Sequence, residues 1–343
     1  MTTERSGLLD GAIAPAENSK LFGHAEAEAF LAQSYKSGKG HHAILIEGPE
    51  GIGKATLAFR FANHVLRHPE PTEAPESLAD PDPASMTTRQ LASGASHNLL
   101  HLTRPIDEKT GRARGAITVD EVRRAGKFFG QTSGTGNWRI VIVDPADDLN
   151  RNAANAILKI LEEPPRRSLF LVLTHAPGKL LPTIRSRCLP LRLKPLEAEP
   201  LRQALAHLGY DLGGASGDQI LAAAGGSVAE ALKLINYGGL DIAAAFEEVL
   251  AGQGPAVRKQ MHKLADVLSA KDSETIFDFF SSLLTVRVMQ LARDAALAGD
   301  IASADRFARL SSGFAERLAL SDAYNLDRKQ TILSLLDDLR DAL

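Results

Sequence analysis

AILIEGPEGIGKATLAFRFANHVLRH, residues 43–68, moves from a short apolar run through a glycine-rich turn into a helical pattern. A strand, a glycine-rich loop and a helix, in that order, form the context in which a phosphate-binding loop works. Gly48, Gly51 and Gly53 permit the tight backbone whose N–H groups cradle phosphate. Lys54 would reach the terminal phosphates, and the N-terminus of the following helix adds a favourable dipole. The next position should carry a Ser or Thr hydroxyl for magnesium, but it holds Ala55. Thr56 lies one residue further, about 100° around the helix, and should not reach the same ligand site. The stretch reads either as a degenerate nucleotide site or as a tight strand-to-helix turn kept for architecture.

A second stretch, RIVIVDPADDLNRNAANAILKILEEPP (139–165), repeats the logic. RIVIV is continuously apolar after Arg139, as expected for a strand buried on both faces. Asp144, at its end, stands where nucleotide hydrolases place a magnesium-organising acid, and the next residue in such enzymes is usually a Glu that orients water. Here it is Pro145. Asp147 and Asp148 follow in the turn and are read as solvating it or favouring the next helix N-terminus, rather than as a replacement base. Asn150 can cap that helix, Ala153, Ala156, Ile157, Ile160 and Leu161 share one of its faces, and Pro164-Pro165 stop it.

Outward from these anchors, HAEAEAFLAQSYKSG reads as a helix after a polar arm, AITVDEVRRAGKFFG as a strand turning into a helix with Asp120 near the N-cap, and SLFLVLT and LPLRL as further strands. Strands alternate with helices over residues 1–195, so that part reads as a parallel α/β sheet. Between the helical patterns of ATLAFRFANHVLRH and AITVDEVRRAGKFFG lies an acidic, Pro-rich stretch at about 68–96, expected to be a disordered surface loop. Beyond KPLEAEP the patterns are helical only: short ones over 196–239 and longer amphipathic ones over 240–343.

The 343 residues predict two or three domains. A net charge of −3 gives the whole molecule no general affinity for polyanions. The lone cysteine, Cys188, excludes an internal disulfide framework and a multi-cysteine zinc site and suits a reducing cytoplasm. The first residues lack the apolar core of a secretory signal, and no continuous apolar run approaches bilayer length, so a cytoplasmic location is expected.

NAILKILEEPP, followed by LFLVLT and then TIRSRC, resembles the clamp-loader ATPases of DNA replication, whose shared hallmarks are NALLK-x-LEEPP and SRC. The order of motifs follows that AAA+ family along essentially the whole chain. The resemblance implies a RecA-like AAA+ domain (1–195) with a P-loop and parallel sheet, a small helical lid (196–239) and an all-α collar domain for oligomerisation (240–343). It also marks departures. Motor subunits keep the hydroxyl ligand, an acidic pair and a sensor arginine at GS-x-R, whereas this chain has Ala55, Pro145 and, in GGSVAEAL, Ala229. SRC survives as Ser186-Arg187-Cys188.

That combination is similar to the stator-like subunits of the bacterial DNA polymerase III clamp loader. It implies that Arg187 is an arginine finger given in trans to a neighbouring motor subunit, where an arginine is worth ~10³–10⁵ in rate. A surface arginine paired with an acid of its own chain is the other reading of Arg187. The implied partners are the gamma/tau motor subunits, a delta subunit, the sliding clamp and primed DNA through the assembled complex, with no membrane. Gly48, Gly51, Gly53, Lys54, Ala55, Thr56 and Asp144 would then form a degenerate site able to hold ATP or ADP without hydrolysis. The chain would not be catalytic alone, ATPase activity residing in partner subunits of the polymerase holoenzyme.

The alternative is an active AAA+ clamp-loader motor that binds and hydrolyses its own ATP, against which Ala55, Pro145 and Ala229 all count. A third reading, direct DNA binding through Arg123, Arg124, Lys127 and Arg139, competes with their being solvated helix positions. Family members often carry a four-cysteine zinc module where this chain has its acidic stretch. The histidine pairs His64/His68 and His97/His101, at i, i+4 spacing, could supply ligands only if each lay on one helical face; no zinc is expected.

Overall fold

Five short strands form one parallel sheet, and their composition explains their burial. In chain order the first part of the protein runs α1 (Ala25–Lys36), β1 (Ala43–Glu47), α2 (Lys54–Arg67), α3 (Met86–Ala92), β2 (Leu99–Leu102), α4 (Val119–Gly130), β3 (Arg139–Val143), α5 (Arg151–Glu162), β4 (Ser168–Thr174), α6 (Pro182–Arg185) and β5 (Leu189–Arg192). The computed structural model describes residues 8–107, 113–130, 136–252, 254–271, 273–324 and 326–343. Sheet order is β2-β3-β4-β1-β5, with Ala43 opposite Phe170, Ile44 opposite Leu189 and Arg139 opposite Ser168.

Alternate residues of each central strand enter different cores. Ile44, Ile46, Ile140, Ile142, Leu169, Leu171 and Leu173 pack with the apolar side of α1 and α2. Ala43, Leu45, Val141, Val143, Phe170 and Val172 pack with α4 and α5 on the other face. A parallel sheet covered on both faces needs apolar residues at every position, and β1 and β4 are buried throughout. This is the RecA-like α/β class expected from the sequence.

The first helix of the acidic motif forms as read. Asn150 Oδ1 accepts from the Ala153 N–H at 2.8 Å, and Ala153, Ala154, Ile157 and Leu161 are buried. Replacing Asn150 by Ala is expected to cost about 1 kcal/mol, read by chemical denaturation. AITV differs from the expectation. It makes only an isolated bridge, Ile117 to Leu149, and α4 begins at Val119 with Asp120 in its first turn. Strand β2 was not expected. It is a four-residue edge strand, only half-buried, and its pattern LLHL has no alternation to reveal it.

The acidic stretch 68–96 is not the disordered loop expected. It carries a 3-10 turn at Pro71–Glu73 and helix α3, with Ala74 and Leu91 buried. Polar contacts hold it down. Arg60, 4% exposed, pairs with Glu28 at 2.8 Å and with Asp80 at 2.9 Å, while Lys36 pairs with Glu76 at 2.9 Å. Tyr35 donates to the His68 carbonyl, Trp138 Nε1 to the Pro69 carbonyl and Asn63 to Thr88. The acids that suggested disorder are the anchors of the segment.

Within α2, His64 is buried and its Nε2 has no hydrogen-bond partner. Burial, helped by His68 and Arg67, pulls its pKa down to about 4. The folded protein therefore binds fewer protons than the unfolded chain between pH 6.5 and 4, and stability falls as pH falls through that window. Going from pH 7 to pH 5 should cost about 1–2 kcal/mol at this residue, allowing for some solvent screening. Urea unfolding at both pH values checks this: His64→Leu should remove that part of the acid sensitivity.

The chain divides into two compact units, Met1–Ala229 and Glu230–Leu343. After the sheet come α7 (Ala198–His207), α8 (Gly214–Ala223) and α9 (Val228–Asn236), and the division falls at the start of α9. The second unit is helical: α10 (Gly239–Ala251), α11 (Pro255–Leu268), α12 (Glu274–Leu297), α13 (Ile301–Tyr324) and α14 (Arg328–Ala342). Ile332, Leu335, Leu336 and Leu339, spaced i, i+3, i+4, i+7, are fully buried, and Phe246 meets Phe280 edge to face at 5.5 Å. Helix α12 is long and apolar enough to cross a membrane by length and composition alone. Here Phe277, Phe280, Leu284 and Val288 point into the helical core, as in a core helix of a bundle.

Candidate functional site

The carboxyl ends of β1, β3 and β4 come together, the edge of a parallel sheet where α/β proteins bind ligands. Glu47 lies opposite Thr174, and the Gly48 N–H donates to the Thr174 carbonyl at 3.2 Å. Gly51 has φ +74° and Gly53, the N-cap of α2, has φ +102°, so the loop turns as only glycine does readily.

Lys54 is 4% exposed, and its ammonium donates to the loop's own Gly48 carbonyl at 2.7 Å and to that of Pro49. Burial lowers its pKa to about 8, opposed by Asp144, Glu50 and Asp147. A Cβ on Gly51 would come within 2.4 Å of both the Ala229 methyl and Ser227 Oγ. Ser227 Oγ also donates to the Glu50 carbonyl at 2.9 Å, and the Val228 N–H to the Gly51 carbonyl at 3.0 Å. Position 229, where motor subunits would present an arginine, thus touches the phosphate loop and offers it a methyl group. His24 Nε2 lies 2.7 Å from the Ile52 carbonyl, with its pKa lowered by burial.

Loop shape, ammonium and helix dipole suit a nucleotide phosphate. They do not suit a magnesium ion. Ala55 has no hydroxyl and packs on the core, and Thr56 is buried in α2. Among the described residues, no three His, Cys, Asp or Glu side chains gather where they could hold a metal. The two histidine pairs fare differently. His64 and His68, at the end of α2, have ring centroids 5.2 Å apart. His97 is exposed ahead of strand β2 while His101 lies within it, so that pair does not share a helical face.

Asp144 sits at the end of β3, with its Oδ2 3.4 Å from His101 Nε2, close enough for attraction but not aligned as a hydrogen bond. Pro145 follows it. The two later acids are occupied. Asp147 accepts from Thr174 Oγ1 at 2.9 Å, the His175 N–H at 2.7 Å and the Ala176 N–H at 3.0 Å. Asp148 pairs with Arg104 at 3.0 Å, and burial raises its pKa despite that arginine. Neither holds a carboxylate free to activate water, and the structural task of Asp147 differs from the one expected: instead of solvating the turn or serving the next helix N-terminus, it clamps the end of β4 beside the phosphate loop. Thr174 and His175 join the site without having been singled out from sequence, and His101, read there only as a candidate zinc ligand, joins it beside Asp144. His175 has its pKa lowered by burial and by Lys54.

Arg187 lies apart from this loop, just beyond α6. It pairs with Glu162, the last residue of α5, at 2.6 Å (Nη2 to Oε1), and its Nη1 donates to the Thr183 carbonyl at 3.0 Å. Its side chain remains 35% exposed. The own-chain ion pair weighed in the sequence reading is therefore present. Ser186 Oγ donates to the Thr183 carbonyl at 3.1 Å and shapes the turn. Cys188 is buried, and burial pushes its thiol up to about 12, which leaves it an inert packing residue. On α4, Arg123 pairs with Asp120 and Arg124 with Glu121, while Arg139 lies over the Phe128 ring. The proposed basic face is largely neutralised by its own helix.

Sequence comparisons agree with this geometry. Residues 23–197, half of the chain, match the family described as "DNA polymerase III, delta subunit". DNA polymerase III subunit delta' of Pseudomonas aeruginosa is 31% identical over 304 residues, covering 85% of this chain and 86% of that protein. Subunit tau of Escherichia coli is 28% identical and covers 78% of this chain, which spans only 39% of tau. Among solved structures, a DNA polymerase III gamma-subunit-related protein of Thermotoga maritima aligns over 93% of this chain and 99% of its own at 18% identity, with a TM-score of 0.42. With half the chain matching the family and a full-length delta' relative above 30% identity, the chain belongs to the delta' family of DNA polymerase III clamp-loader subunits.

Proposed function

We propose that this subunit supports ATP-dependent loading of the sliding clamp without hydrolysing ATP itself, and that it gives Arg187 to the ATP site of a neighbouring gamma/tau subunit. The observation that carries the first half is the contact of Ala229 with Gly51. The position beside the phosphate loop that would hold a transition-state cation holds a methyl group, and the hydroxyl and base are missing at Ala55 and Pro145. Three contributions to phosphoryl transfer are lost together, and each acts on a different charge in the reaction. Nucleotide, if held, would rest on the loop amides and on Lys54 once its bonds to Gly48 and Pro49 are exchanged for phosphate.

The second half is supported by chemistry and exposure. A guanidinium is charged at any working pH and makes a paired contact to phosphate oxygens. Arg187 is partly exposed on a short turn and bound by one carboxylate and one carbonyl, contacts it can trade. Residues 196–239 would act as the lid and 240–343 as the collar that joins the delta and gamma/tau subunits. Val286, Met289 and Leu297 leave an exposed apolar stripe on α12 that suits such a contact. DNA would be met through the assembled complex.

The purified chain alone is expected to show no magnesium-dependent ATP turnover above background. Turnover that Lys54→Ala abolishes would overturn the non-hydrolysing assignment and favour the motor reading.

A further inference from the structure

We propose that Glu162 is a positioning residue for Arg187: it holds the guanidinium in a resting state and competes with the phosphate that Arg187 would contact in a neighbouring subunit. The inference rests on the reading of Arg187 as a finger given in trans. Its physical basis is the placement of Glu162. The residue ends α5, where the helix dipole presents partial negative charge and favours a cation over a carboxylate. A second acid, Glu163, follows it. The carboxylate is thus in an unfavourable position for its own helix, and the positive charge that relieves it is Arg187, 2.6 Å away.

The geometry makes the pair tradeable. Glu162 is 48% exposed and Arg187 35% exposed, so neither is locked in the core. The carboxylate meets the guanidinium at Nη2; Nη1 is held by the Thr183 carbonyl, with Ser186 Oγ 3.5 Å away. A terminal phosphate carries more charge than a carboxylate and matches the guanidinium fork equally well, so it displaces Glu162 when the neighbouring site is docked in place. Until then the finger's charge is neutralised at home. Glu162 thereby raises the threshold for phosphate capture and restrains ATP turnover in a complex not yet engaged with clamp and primed DNA.

The test is the clamp-loader complex reconstituted with wild-type subunit, Glu162→Gln, Glu163→Gln, Arg187→Ala and the Glu162→Gln/Arg187→Ala double variant. ATP turnover is measured with and without clamp and primed DNA. Glu162→Gln should raise turnover without clamp and DNA by about two- to five-fold, the range set by an exposed ion pair, and leave the stimulated rate close to wild type. Glu163→Gln should change neither rate, and the double variant should match Arg187→Ala. A structural role for Glu162 would instead lower thermal stability and both rates together. If Arg187→Ala lowers stimulated turnover while Glu162→Gln leaves the unstimulated rate unchanged, the holding role is wrong and the finger survives. If Arg187→Ala leaves both rates unchanged, the finger reading itself fails.

Discussion

Arg187→Ala is expected to lower ATP turnover at the site that receives Arg187 by about 10³-fold, the lower end of what an arginine supplied in trans contributes. The magnitude follows from where the charge develops. A transferring phosphoryl group spreads negative charge over its outer oxygens, and a guanidinium from the adjacent subunit meets that charge in a site closed to water. Truncation to Ala removes all of it. Arg187→Lys should recover little, since an ammonium is a point charge without the planar pair of donors. Assembly should persist, because Arg187 is partly exposed and, among the described residues, its guanidinium meets only Glu162, the Thr183 carbonyl and Ser186. Steady-state turnover of the reconstituted complex with clamp and primed DNA reads the effect, and gel filtration reads assembly. An intact complex whose variant turns over ATP at the wild-type rate would remove Arg187 from the reaction.

The parts of this fold visible in the sequence are those whose pattern has one physical cause. β1, β3 and β4 lie inside the sheet with both faces covered, so each is an unbroken apolar run of the right length. The Asn150 cap, the glycine loop and the Pro-Pro stop act within a few residues and are local by nature. β2 has no such signature because it is a four-residue edge strand with three half-buried residues and only Leu102 fully buried. The order of the 68–96 segment is hidden in the sequence for a related reason. Proline and acid content signals disorder when acids are merely solvated, yet Asp80, Glu76 and Glu70 find Arg60, Lys20, Lys36 and Arg167 between 20 and 97 positions away in sequence. Pairings of that kind are set by tertiary structure. The same holds at the site. Ala55, Pro145 and Ala229 were legible as losses because each departs from a known spacing. His101, Thr174 and His175 reach the site through strand register, which only the assembled sheet reveals.

Asp147→Ala is expected to destabilise the first unit by about 2–4 kcal/mol, more than removing a partly exposed acid on a turn usually costs. The reason is the number of donors it leaves behind. Its carboxylate receives Thr174 Oγ1, the His175 N–H and the Ala176 N–H, where β4 ends beside the phosphate loop. Two of those donors are backbone groups; the Ala176 N–H keeps a longer bond to Thr174 Oγ1 at 3.2 Å, but the His175 N–H and the Thr174 hydroxyl lose the acceptor they share, and water can reach this half-buried corner only in part. In a unit of this size the change should lower the melting temperature by roughly 5–10 °C. Asp147→Asn, which keeps one oxygen acceptor but adds an N–H₂ group facing the donors, should fall between Ala and wild type. These outcomes separate the two readings of the acid. A base would lower turnover and spare stability, whereas a clamp lowers stability and, by loosening the wall that Thr174 forms against Gly48, loosens the phosphate loop with it. Calorimetry of the purified variant decides: an unchanged melting temperature for Asp147→Ala would show that the corner holds without it, and the search for a replacement base would have to begin again at this residue.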